Sequence, residues 1–132
     1  MMPTMPRAVL VVDDHPAVAL ALRLYFRRHG RFAVAADAGT AADGLRALEV
    51  GPFDAILLDL HLPDVSGLEL VRAFRAAAPD TPLILHSSSD DTAEVDAVRP
   101  LVDAVALKSQ MPAVLEALER LTDEGSYREP GS

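Results

Sequence analysis

Apolar residues gather in five short runs along this chain, and polar residues gather between them. The runs are Ala8-Val9-Leu10-Val11-Val12, Phe32-Ala33-Val34-Ala35-Ala36, Phe53-Asp54-Ala55-Ile56-Leu57-Leu58, Leu83-Ile84-Leu85 and Ala104-Val105-Ala106-Leu107. Three of them are near-continuous and aliphatic, the pattern of strands buried on both faces of a parallel sheet. Between the runs the apolar spacing changes to about 3.6 residues, the period of a helix. Val18, Leu22, Tyr25, Phe26 and His29 follow it, as do Leu70, Val71, Phe74 and Ala78, and then Met111, Val114, Leu115, Leu118 and Leu121. Ser66 with Glu69 predicts a capping box opening the third helix, and Asp91 with Glu94 a weaker one for the fourth. Pro79, Pro82 and Pro112 stand at boundaries, where a proline is tolerated. Strict strand–helix alternation over five pairs predicts a doubly wound α/β fold with right-handed crossovers. The stretch 123–132 is polar, carries Gly125, Pro130 and Gly131, and reads as a linker or frayed tail.

With 132 residues, half of them apolar, the chain suits one domain with a real core. No apolar run approaches the length of a membrane span, and the start lacks the layout of a signal peptide. The absence of cysteine excludes a disulfide framework and a cysteine zinc site. These features together predict a cytoplasmic protein. A formal charge of −8 repels nucleic acid, so direct DNA or RNA binding by this segment is not expected. The acidity fits a solvated surface, or carboxylates that converge on a cation. The positions of three aspartates favour the second.

Four runs end in a distinctive polar residue: Asp13-Asp14, Asp59, His86-Ser87-Ser88-Ser89 and Lys108. In an open parallel sheet, ligands bind outside the carboxyl ends of the strands, at the topological switch point. Asp13, Asp14, Asp59, Ser87 and Lys108 are therefore expected to meet at one edge. Three carboxylates in one crevice repel each other unless a cation settles among them. Oxygen ligands without cysteine favour Mg²⁺ over zinc or copper. Lys108 adds a point charge for a phosphoryl oxygen, and Ser87 adds a hydroxyl donor. Such equipment suits phosphoryl transfer, which depends on positioning and charge neutralisation, with aspartate as the nucleophile.

At these residues the sequence resembles the receiver domain of bacterial two-component response regulators, over residues 7–122. The matching pieces are Val11-Val12-Asp13-Asp14-His15-Pro16, Leu57-Leu58-Asp59-Leu60-His61-Leu62-Pro63-Asp64-Val65-Ser66-Gly67, Pro82-Leu83-Ile84-Leu85-His86-Ser87 and Leu107-Lys108. The resemblance implies a flavodoxin-like sheet of strand order 2-1-3-4-5 with five helices. It implies Asp59 as phosphoacceptor, and Mg²⁺ held by Asp14, by Asp13 through water, by Asp59 and by the backbone carbonyl of His61. It implies Ser87 and Lys108 as the phosphoryl-binding switch pair, a sensor histidine kinase as donor, and self-catalysed phosphorylation and hydrolysis. Asp13-Asp14-His15-Pro16, Lys108-Ser109 and the ending Leu115-Glu116-Ala117-Leu118 through Gly125-Ser126-Tyr127 are similar to NarL/FixJ-type regulators. There a linker leads to a helix-turn-helix domain, so the chain reads as a receiver cut from a transcription regulator, with a homodimer as a further expectation.

Some positions depart from the family pattern. Val105 stands where the family carries an aromatic switch residue, and valine is too small and stiff to play the turning ring. Pro100 is expected to break or kink the fourth helix, leaving it short or mobile. His61 and Ser89, two places past Asp59 and Ser87, occupy positions that tune phosphoryl lifetime in the family. His15, His61 and His86 also lie near the crevice, but none forms a pair with the short helical spacing of a zinc motif. His86 alternates with Ser87 and is expected to face a helix in the core. Two other functions compete: a haloacid-dehalogenase-type phosphatase, which needs a second aspartate where His61 stands, and a pseudo-receiver that only binds partners.

Overall fold

The computed structural model describes residues 5–127, with side chains through residue 123. The elements in chain order are β1 (Arg7–Val12), α1 (Pro16–His29), β2 (Phe32–Ala38), α2 (Ala41–Val50), β3 (Ala55–Leu58), α3 (Gly67–Ala77), β4 (Leu83–Ser87), α4 (Ala93–Val98), a 3-10 turn at Arg99–Leu101, β5 (Ala104–Leu107) and α5 (Met111–Tyr127). The strands form one sheet in the order β2-β1-β3-β4-β5, and every neighbouring pair is parallel. The order reverses between β1 and β3, which sets the switch point at their carboxyl ends.

The continuous aliphatic runs follow from burial on both faces. Leu10, Val12, Ile56, Leu58, Leu83 and Leu85 pack toward Leu70, Val71 and Phe74 of α3 and Val95 and Val98 of α4. The alternate residues Val9, Val11, Leu57, Ile84 and Ala106 pack toward Ala19, Leu22 and Phe26 of α1 and Val114 and Leu118 of α5. α2 joins the first layer by close approach: a Cβ on Gly44 would lie 2.8 Å from Phe74 Cζ and 3.1 Å from Val12 Cγ2. β2 is an edge strand, so Ala35 and Asp37 are exposed, and its register with β1 shifts between Val9 and Leu10.

Several local expectations are corrected by geometry. Ser66 is the residue before α3, yet its side chain makes no capping hydrogen bond. Thr92, not Asp91, caps α4, with its hydroxyl accepting from the Val95 N–H at 3.1 Å. α4 is short, six residues, and the chain tightens into the 3-10 turn that contains Pro100. Proline fits there because the first turn of a helix does not need its missing N–H. α5 runs on to Tyr127, past the boundary at residue 122, so the expected linker begins as helix. The rest of that expected tail, 128–132, lies outside the described residues.

Candidate functional site at the switch point

Backbone ladders bring the polar strand ends together. The Asp59 N–H donates to the Val12 carbonyl at 2.9 Å, and the Asp13 N–H donates to the Ala38 carbonyl at 2.9 Å. The Lys108 N–H donates to the Ser87 carbonyl at 2.8 Å. β1, β3, β4 and β5 therefore each deliver one residue to the same edge. Asp13, Asp59 and Ser87 are buried, whereas Asp14 is exposed.

One ammonium lies between two of the carboxylates at that edge. Lys108 Nζ lies 2.7 Å from Asp13 Oδ2 and 3.2 Å from Asp59 Oδ2. Burial pushes Asp13 up, but the Lys108 ammonium and the His15 N–H outweigh it and hold its carboxyl below the ordinary value. Burial likewise pulls Lys108 down, and the Asp13 and Asp59 carboxylates more than reverse that, so its ammonium is held above its ordinary value. Asp13 thus stays ionised and Lys108 stays charged throughout the neutral range.

His15 joins the cluster. Its Nδ1 lies 3.1 Å from a carboxylate oxygen of Asp13 and 3.1 Å from one of Asp14. Ligand atoms of Asp13, Asp14, His15 and Asp59 all lie within 4.8 Å of one another, which fits a small divalent cation with mostly oxygen ligands. His15 also occupies the position before α1, with Pro16 opening the helix, so Asp13 and Asp14 are not its caps. Ser87 is the last residue of β4, while Ser88 and Ser89 fall outside the strand and are exposed. Its hydroxyl donates to the Ser89 carbonyl at 2.7 Å, so it is turned into its own loop. Val105 pairs with Leu85, two steps back from the Ser87–Leu107 pair, and packs against the α3–α4 layer.

The loop after Asp59 is closed and anchored. The Gly67 N–H donates to the Leu60 carbonyl at 2.9 Å, with Gly67 at φ 67°, a left-handed conformation that a Cβ would strain. Asp64 accepts from the Ala41 and Ala42 N–H groups at 2.9 and 3.0 Å, tying this loop to the start of α2. Those bonds hold the Asp64 carboxyl below its ordinary value. The His61 N–H donates to Asp59 Oδ1 at 3.3 Å, and its imidazole Nε2 lies 3.2 Å from Glu94 Oε1. Sequence reasoning missed the partners of Asp64, His15 and Glu94. Only the acid's place in the loop, beside Pro63, hinted at the first.

His86 is buried beside the site, as its alternation with Ser87 predicts. Among the described residues its Nε2 meets no hydrogen-bond partner. Burial, helped by the Lys108 charge and opposed by Asp13, pushes its pKa down to about 4. It is therefore a neutral core residue at pH 7.

Fold and site define a class: a five-stranded doubly wound sheet whose switch point holds a carboxylate cluster opposed by one lysine. The family model described as the response regulator receiver domain matches residues 9–120, and the chain belongs to that family. It is 33% identical over 125 residues to the nitrate/nitrite response regulator protein NarP of Escherichia coli, covering 92% of this chain and 57% of that protein. It is 31% identical over 121 residues to the transcriptional regulatory protein YhcZ of Bacillus subtilis, covering 91% of this chain and 56% of that protein. The chain thus spans little more than half the length of these relatives. A receiver domain protein from Methanospirillum hungatei superposes with a TM-score of 0.81 at 25% identity, covering 94% of this chain and 99% of that one. A LuxR-family two-component response regulator from Aurantimonas sp. superposes at 0.80 and 23% identity, covering 90% and 86%. Membership sets the haloacid-dehalogenase reading aside. Among the described residues no helix is long and apolar enough to cross a membrane.

Proposed function

We propose that Asp59 accepts a phosphoryl group from a sensor histidine kinase, and that the resulting aspartyl phosphate switches an output carried elsewhere in a longer transcription regulator. The observation that carries this is the Lys108 ammonium shared by Asp13 Oδ2 and Asp59 Oδ2 at the switch point. Asp59 is the central carboxylate, sits at the end of a central strand, and has a fixed backbone on either side. Asp13, Asp14, Asp59 and the backbone carbonyl of His61 would hold Mg²⁺. The ion supplies charge neutralisation for a phosphoryl group and its donor.

Within that arrangement the chain's own residues divide the work. An Asp59 oxygen attacks phosphorus in line, and the donor leaves with its electron pair. Lys108 exchanges the Asp59 carboxylate for a phosphoryl oxygen. Ser87 releases the Ser89 carbonyl and turns its hydroxyl to another phosphoryl oxygen, drawing the β4–α4 loop inward. Val105, packed beside Leu85, offers no ring to follow Ser87, so the signal leaves through the β4–α4 loop and the short α4. The domain works in the cytoplasm, as a homodimer when phosphorylated, without touching nucleic acid itself.

The test is incubation with Mg²⁺ and acetyl phosphate, followed by intact mass. An acid-stable, base-labile gain that requires Mg²⁺ and is lost in Asp59→Asn supports the proposal. No gain would leave a phosphorylation-independent interaction module, the second reading that Val105 keeps open. Beryllofluoride is expected to shift the chain from monomer toward dimer.

A further inference from the structure

β2 ends the sheet and pairs with β1 alone, so among the described residues the outer side of its backbone joins no strand. It runs for seven residues, against four in β5 at the opposite edge. An open strand edge of that length is a template for another extended segment. A cleft lies on each face of it. On the α1 face, about 340 Å³ is lined by Pro6, Phe32 and Val34 together with Arg23 and Arg27. On the α2 face, about 430 Å³ is lined by Ala36, Ala47, Val50 and Phe53. Val50 is 85% exposed, so this second cleft has an apolar rim that an apolar neighbour would cover.

The two clefts differ in charge. Arg23 lies 3.5 Å from Asp37, but among the described residues Arg27 enters no ion pair. Arg28 and His29 follow it in the last turn of α1, so cations gather here on a chain whose net charge is −8. On the other face Arg46 and Asp43 offset each other at 3.2 Å, which leaves apolar contact as the main attraction there. Successive side chains of a strand point to opposite faces. A strand laid along β2 therefore sends every second side chain toward Arg27 and the others toward Val50 and Phe53. We propose that the outer edge of β2 is a docking site for an extended protein segment in which acidic and apolar residues alternate. Main-chain hydrogen bonds to β2 supply affinity, and the two clefts select the pattern. Asp37 repels acids near the end of the strand, so the incoming carboxylates engage Arg27 beside its first half. The edge uses neither Asp59 nor its neighbours at the switch point, so docking does not depend on the acceptor reading.

The test titrates the whole chain, without phosphodonor, into a fluorescein-labelled peptide of about ten residues in which glutamate and valine alternate. Fluorescence anisotropy is expected to saturate at sub-millimolar protein, and less readily as salt rises. Arg27→Glu and Val50→Glu alter exposed side chains, so both variants keep the fold, and each is expected to weaken binding at least about fivefold. A peptide of the same composition, with its valines and glutamates in two blocks, is expected to bind at least about fivefold more weakly. Amides of one alternate set face β2, so N-methylation of either the glutamates or the valines abolishes binding and N-methylation of the other set is tolerated. No saturation up to about 1 mM, equal binding of the block peptide, or unchanged binding in both variants overturns the proposal. Equal effects of the two methylation patterns overturn strand addition. Self-association of the unaltered chain that Val50→Glu disrupts would give the edge to a second copy and overturn the proposal as well.

Discussion

Lys108 Nζ lies 3.2 Å from Asp59 Oδ2 while also holding Asp13 Oδ2 at 2.7 Å. One cation at the end of β5 thereby joins the ends of β1 and β3, and the phosphoacceptor candidate shares it with a neighbour. The arrangement costs stability if either side is lost, because the remaining charge keeps its burial without its partner.

Lys108→Met is therefore expected to lose roughly 1–3 kcal/mol of stability in urea melts, less than a fully buried pair would lose. The sign with pH follows from Asp13, whose carboxyl is held below its ordinary 3.8. Its contribution is present above that value and is lost as pH falls through the lowered one. Without Lys108, burial dominates at Asp13, so acid unfolding of Lys108→Met is expected to begin at higher pH than in the unaltered chain. The variant should also label from acetyl phosphate at least tenfold more slowly.

His86 predicts a second pH effect, of the opposite origin. Its folded pKa of about 4 lies below the ordinary 6.5, so the unfolded chain binds the extra proton between these values. Stability is then complete above about pH 6.5 and is lost as pH falls toward 4. This residue alone removes about 2 kcal/mol between pH 7 and pH 5. His86→Leu keeps the volume and deletes the unpartnered nitrogen. Its melts at pH 5 and pH 7 are expected to differ less than those of the unaltered chain by that amount. An equal difference in both proteins would refute the assignment.

Gly44 is the point where α2 touches Phe74 and Val12. Gly44→Ala gains helix propensity of about 1 kcal/mol, but its methyl would sit 2.8 Å from Phe74 Cζ in a fully buried ring. Overpacking of this kind costs about 1–3 kcal/mol, so the net change is expected to be a loss. A thermal midpoint at or above that of the unaltered chain would contradict the packing described.

Asp64 tests whether the acceptor loop depends on α2. Asp64→Ala removes the acceptor for the Ala41 and Ala42 N–H groups. Faster hydrogen exchange is expected in the first turn of α2, together with slower labelling of Asp59 as its loop loosens. Unchanged exchange there would show that Thr40, whose hydroxyl accepts from the Asp43 N–H, caps the helix alone.

Much of this architecture is legible in the sequence because burial on both faces imposes a visible code. β1, β3 and β4 are aliphatic because no face of them meets water, and their polar ends mark the crevice. His86 reads correctly as core because strand alternation leaves it no other place. α2 shows little, because it packs through Ala41 and Gly44 and presents no run of large apolar residues. The α4 cap moves to Thr92 and Ser66 at α3 makes no capping bond, because a serine or aspartate in the right place need not aim its oxygen at the right N–H. The contacts from Asp64 to α2 and from His61 to Glu94 join segments over twenty residues apart, and only the folded loops define them. Pro100 foretold a short α4, although the remedy was a 3-10 turn, braced by Arg75 Nε donating to the Leu101 carbonyl at 2.9 Å.

The central claim concerns the identity of the acceptor, and its most direct measurement is chemical mapping. The chain is labelled with acetyl phosphate and Mg²⁺, reduced with borohydride, digested and sequenced by mass spectrometry. Reduction converts an aspartyl phosphate to homoserine. The account predicts homoserine at position 59 alone, absent without Mg²⁺ and absent in Asp59→Asn. Homoserine at position 13 or 14, or none in a chain that has taken label, would contradict it.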